Sequence, residues 1–235
     1  MLARKTILAL LLVSSSIGVL WAKNGGKGKK ADAEKLPKVL IIGDSISLGY
    51  TPILAKILEG KAVVTHCQGN AGPTIGGMRM IDKYIGDGGW DVIQFNWGLW
   101  DMYGWRYHEQ DISPEAYEKR LEALVSKLEK TGAKLIWATT TPPCPAPETT
   151  MLKKFKKKVV ITPEVEKKYL DAAARVMKKH HVEVNDLRAA ILPKAREYSL
   201  GPDNVHYNGK GYELLAQKTA EAIEKAIKKK KKTKR

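Results

Sequence analysis

The chain has 235 residues, enough for one α/β domain with a full core and too few for a second of ordinary size. Its formal net charge of +16 lies in three runs without an acid: four lysines in Lys23–Lys30, five in Lys153–Lys158 and seven basic residues in Lys228–Arg235. The remainder is neutral, and no helix-turn-helix, zinc-finger or aromatic RNA-binding pattern accompanies the runs. That excludes a specific nucleic-acid reader and leaves solvated linkers and tails, with at most a weak contact to an anionic surface.

At the amino terminus, Arg4 and Lys5 precede an apolar run from Ile7 to Trp21, and Ala22 precedes a polar lysine-and-glycine stretch. This reads as a secretory signal over 1–22 followed by a basic linker over 23–36, with an uncleaved anchor as the alternative. A secreted or periplasmic location is expected. Cys67 and Cys144 fall after strands assigned to opposite sides of the central one, so free thiols are expected.

The first strand is Val39–Ile42, four apolar residues suited to a central parallel position, and Gly43 lets the chain bend sharply into Asp44-Ser45. A helix follows to about Gly60, its beginning made irregular by Pro52. Ala62–His66 reads as the second strand, 69–73 as a glycine-bearing loop, Thr74–Tyr84 as a helix and Asp91–Trp97 as the third strand. An aromatic segment, Gly98–Tyr107, comes next. Ser113-Pro114-Glu115 and Thr162-Pro163-Glu164 are helix starts, leading to helices ending near Thr131 and His180. Between them lie a fourth strand, Leu135–Ala138, and a proline-interrupted loop over 140–161. Val182–Val184 is a short fifth strand. After an irregular region, Asn208 caps a last helix before a lysine-rich tail over 228–235. Strands alternating with helices predict a three-layer α/β/α sandwich around a five-stranded parallel sheet, one domain over 37–227.

Ser45 is placed where a strand gives way to a helix, which presents its hydroxyl at the carboxyl edge of the sheet. A serine is a weak nucleophile until a base takes its proton, and Asp203-Asn204-Val205-His206 offers a histidine and an orienting carboxylate. His66, His108, His180 and His181 lack a metal-binding pattern, and Gly43–Gly49 is not a dinucleotide fingerprint, so no metal and no cofactor are expected.

Gly43-Asp44-Ser45, Gly72, Gly98-Leu99-Trp100-Asp101 and Asp203-x-x-His206, in this order, resemble the four blocks of the SGNH, or GDSL-like, hydrolases, whose fold is flavodoxin-like. The resemblance implies a serine esterase with Ser45 as nucleophile, His206 as general base and then acid, and Asp203 orienting the imidazole. It further implies an oxyanion hole from the Ser45 and Gly72 N–H groups and a third donor, in the family an asparagine that here is Trp100. Either the Trp100 indole or the nearby Asn96 amide is left to replace it, whereas Asn70 reads as a turn residue. Trp97, Trp100, Tyr103, Trp105 and Tyr107 suggest either a packed core or flat faces for a sugar ring. Together with export they point to an acetyl ester on a carbohydrate, against a lipase or lysophospholipase alternative and a non-catalytic carbohydrate- or polyanion-binding one.

Overall fold

A computed structural model describes residues 36–104, 111–143, 161–202 and 204–233. The signal, nearly all of the linker, Trp105, Tyr107, Cys144, the lysines of 153–158 and Asp203 lie outside the described residues.

Five parallel strands form one sheet in the order β2-β1-β3-β4-β5: β1 Lys38–Ile42, β2 Val63–His66, β3 Val92–Phe95, β4 Lys134–Ala138 and β5 Glu183–Asn185. Val39 to Ile42 are fully buried, as a strand paired on both sides and covered on both faces requires. β3 carries one polar residue in its buried run. Gln94 donates to Tyr50 Oη (3.1 Å) and Thr219 Oγ1 (3.3 Å) and accepts from Asn185 Nδ2 (3.0 Å), so the amide is satisfied inside the core.

One helical layer consists of α1 (Ser45–Ile57), packed on the last helix, α8 (Gly209–Thr233); the other has α4 (Pro114–Glu129) between α2 (Thr74–Ile85) and α5 (Pro163–Lys179). The split follows from strand order. The chain moves one way from β1 to β2 and the other way to β3, and right-handed crossovers then place the connecting helices on opposite faces. The capping residues act as read: Ser113 Oγ accepts from the Ala116 N–H and Thr162 Oγ1 from the Val165 N–H.

The structure differs from this reading or adds to it in three places. Pro52 lies inside α1, which runs through it without a break. The aromatic segment opens as a short helix, α3 (Leu99–Tyr103), and the region after β5 contains α6 (Leu187–Ile191), a 3-10 turn (Leu192–Lys194) and α7 (Ala195–Tyr198). The lysines after 227 do not begin a separate tail, because α8 continues to Thr233. Lysine is a good helix former, and its charge is favoured at a helix carboxyl end.

Candidate active site

The sheet's order reverses between β1 and β3, and the crevice outside the carboxyl ends of these strands is where ligands bind in open parallel sheets. Ser45 stands there. Asp44, not Ser45, caps α1: its Oδ1 accepts from the Ile46 N–H at 2.9 Å. Ser45 is the first helical residue, half-buried, with its hydroxyl free of any capping duty. Its Oγ lies 2.8 Å from His206 Nε2.

On the far side of that ring, His206 Nδ1 is 2.9 Å from Asn204 Oδ1, which also accepts from the His206 backbone N–H at 3.0 Å. An amide oxygen accepts only, so Nδ1 carries the proton and Nε2 presents a lone pair to the Ser45 hydroxyl. This is the tautomer a general base needs. Asp203 lies outside the described residues; Asn204, which carries no special signal in the sequence, is the described side chain on Nδ1.

A second serine–histidine pair adjoins the first. Ser47 Oγ lies 2.7 Å from His66 Nε2 and 2.8 Å from the Asp44 carbonyl, and His66 Nδ1 is 2.7 Å from the Cys67 carbonyl. Two residues on a helix point to nearly opposite sides, so Ser47 faces inward with 4 % of its surface exposed. Burial lowers the His66 pKa, disfavouring the charged ring. This pair ties the first turn of α1 to the edge strand β2. Ser45 alone of the two is accessible to an ester.

The loop between β2 and α2 lies against the Gly43–Ser45 turn, with the Ala71 N–H donating to the Gly43 carbonyl at 2.9 Å. Gly72 has φ +61, which side-chain-bearing residues rarely adopt, and its N–H donates to Asn70 Oδ1 at 2.8 Å. The N–H expected to face substrate is thus held by a side chain of its own loop. Below it, fully buried Asp101 accepts from the Thr74 N–H (3.0 Å) and the Thr74 hydroxyl (2.5 Å), fixing the start of α2. Arg120 Nε adds a bond to Thr74 Oγ1 at 3.0 Å.

Of the two side chains expected as the third donor, the Asn96 amide is committed elsewhere. Asn96 Nδ2 donates to the Ala138 carbonyl (2.8 Å) and to Thr140 Oγ1 (3.2 Å), committing both hydrogens to the end of β4. Trp100 is 9 % exposed within α3. Trp97 and Tyr103 are also buried, and a Cβ on Gly77 would come within 2.9 Å of the Trp97 indole. These three aromatics pack the core. Gly98, with φ +149, turns the chain away from β3 where a Cβ would meet Thr140 Oγ1 at 2.6 Å.

Under the turn is a cavity of about 20 Å³, room for one water, bordered by Asp44, Ser47, Asn96 and Thr140. Burial is the main cause that raises the Asp44 pKa to about 6; the bond from Ile46 opposes it and the charge of Asp101 adds to it.

A family model described as GDSL-like lipase/acylhydrolase matches residues 39–219. No curated protein matches the sequence. Among solved structures, an acetyl xylan esterase, AlAXEase, is similar at 21 % identity and TM-score 0.59, over 79 % of this chain and 99 % of its own. A lipase/acylhydrolase from Enterococcus faecalis has 20 % identity and TM-score 0.62, covering 80 % and 95 %. The psychrotrophic esterase EstA from Pseudoalteromonas sp. has 16 % identity and TM-score 0.62, covering 81 % and 98 %. At these identities the structural likeness concerns the fold.

Proposed function

For a chain that belongs to the GDSL-like lipase/acylhydrolase family, and is thereby an ester-bond hydrolase, we propose that Ser45 is the nucleophile and His206 its general base. The carrying observation is the 2.8 Å contact from Ser45 Oγ to His206 Nε2, with Nδ1 already engaged. Ser45 Oγ attacks the ester carbonyl carbon as its proton passes to Nε2, and the carbonyl electron pair moves onto oxygen. Collapse of this intermediate expels the alcohol, which takes the proton from Nε2. A water then attacks the acyl-enzyme, gives its proton to Nε2, and leaves as the carboxylic acid while Ser45 regains its hydrogen. Asp203 is assigned, on its place in the family block, to hold the imidazole together with Asn204.

The substrate in this reading is an acetyl ester on a carbohydrate, on an exported enzyme whose signal ends at Ala22. Support comes from the signal-like amino terminus and, for sugar stacking, from Trp105 and Tyr107 alone, since Trp97, Trp100 and Tyr103 are in the core. A longer acyl chain is the second reading, and a specific feature favours it. Leu48, one turn along α1 from Ser45, is 39 % exposed, and Leu200, whose N–H donates to the His206 carbonyl, is 60 % exposed. The test is kcat/KM across acyl lengths together with acetate release from acetylated glycans. A preference for acetyl with acetate released supports the first reading; a rise toward eight carbons and beyond without acetate assigns the second. The lysine runs are assigned a weak contact with an anionic surface, separate from the chemistry.

A further inference from the structure

The tetrahedral intermediate carries a full negative charge on the former carbonyl oxygen, which needs two or three donors close to Ser45. The Ser45 N–H is one: it opens a 13-residue helix and has no acceptor among the described residues. Asn96 has spent both amide hydrogens on β4, and Trp100 is packed in α3. Asn70 differs from both. Its loop is pinned to the nucleophile turn through the Ala71 N–H and the Gly43 carbonyl, and the side chain is half-buried.

The orientation of its amide is set by bonding. The Gly72 N–H can only donate, so the atom 2.8 Å from it is the Asn70 oxygen, and Nδ2 is the end of the amide not spent on Gly72. Nδ2 has no protein partner among the described residues. A hydrogen bond received on the oxygen polarises the amide and strengthens its N–H as a donor. On the reading that Ser45 is the nucleophile, we propose that Asn70 Nδ2 supplies the side-chain donor of the oxyanion hole. Gly72 orients that amide, and Asn70 fills the role left vacant where the third family block has Trp100 in place of asparagine.

The test separates a donor from a turn former. Asn70→Asp keeps an oxygen for the Gly72 N–H and so keeps the turn, but it removes the donor and sets a carboxylate beside the developing charge. Asn70→Ala removes both. With p-nitrophenyl acetate, both variants are expected to lose roughly 10²–10³ in kcat with little change in KM, and Asn70→Asp to melt at the wild-type temperature. Wild-type kcat in Asn70→Asp would overturn the assignment and leave Asn70 a turn residue. The Ser45→Ala control keeps the two claims apart. Hydrolysis lost in Ser45→Ala but intact in Asn70→Asp rejects the donor alone, whereas wild-type hydrolysis that survives Ser45→Ala rejects the nucleophile and the donor together.

Discussion

Two serines within one helical turn each touch a histidine ring, and their surroundings divide the work. Ser47 is sealed between α1 and β2, while Ser45 is half-buried at the crevice, 2.8 Å from His206 Nε2. Because Asp44 does the capping, Ser45→Ala should remove ester hydrolysis without the stability loss of about 1 kcal/mol that a lost cap brings; activity assays beside thermal melts check it. Asn96→Ala is expected to cost stability, about 1 kcal/mol from the lost tie to β4, and to lower kcat far less than Asn70→Asp does. Ser45 and His206 were legible in the sequence because strand, bend, serine and a distant histidine before a last helix combine into one pattern. Asn70 and Asn204 were not. An asparagine next to glycine, or in a polar loop, has the same local signature whether it shapes a turn or serves a site, and only the three-dimensional bond partners tell these apart. The aromatics after β3 stay open between two readings for a related reason: Trp and Tyr are the same residues in a core as on a sugar-binding face, and burial decides for three of them.

Among elements, α1 carries a strained charge. With its pKa raised from 3.8 to about 6, the Asp44 carboxyl keeps a proton in the folded chain at a pH where the unfolded chain has released it. Its contribution is therefore most favourable below about pH 4, declines between about 4 and 6, and is then constant, a loss of about 3 kcal/mol in all. Asn at this position can still cap the Ile46 N–H. Asp44→Asn should accordingly raise stability at pH 7 and flatten this part of the pH profile, as urea melts at pH 4, 5, 6 and 7 would measure. Asp101 makes the opposite case. Asp101→Ala strands the buried Thr74 N–H, and a loss of about 1–3 kcal/mol is expected, with kcat falling too because Thr74 follows the Asn70–Pro73 loop directly. The strands and long helices followed from apolar runs and capping residues. The short α3, α6 and α7 did not, since elements of four or five residues are set by packing rather than by periodicity.

At the scale of the molecule, α8 separates the Ser45 crevice from the last lysine run. It starts three residues after His206, at the site's edge of the sheet, and its 25 residues carry the chain roughly 37 Å to the other edge. There Lys225 and Lys229 pair with Glu183 at the start of β5, and the lysine run continues beyond them. A polyanion held at that end leaves the crevice at Ser45 uncovered. Deleting 230–235 should weaken salt-sensitive binding to anionic vesicles or polymers in a sedimentation assay and leave kcat on a soluble ester unchanged. The neutral balance of the rest of the chain was legible from the position of the lysines. That the last run extends a helix was not, because lysine is equally at home in a solvated tail.

The expectations for hydrolysis depend on Ser45 supplying the oxygen that attacks. Reaction of the folded protein with a fluorophosphonate, followed by peptide mapping, measures this directly: the phosphonyl group is expected on Ser45, at a rate that collapses in His206→Ala. Labelling that falls on another residue, Ser47 included, or that proceeds equally fast in His206→Ala would contradict the account.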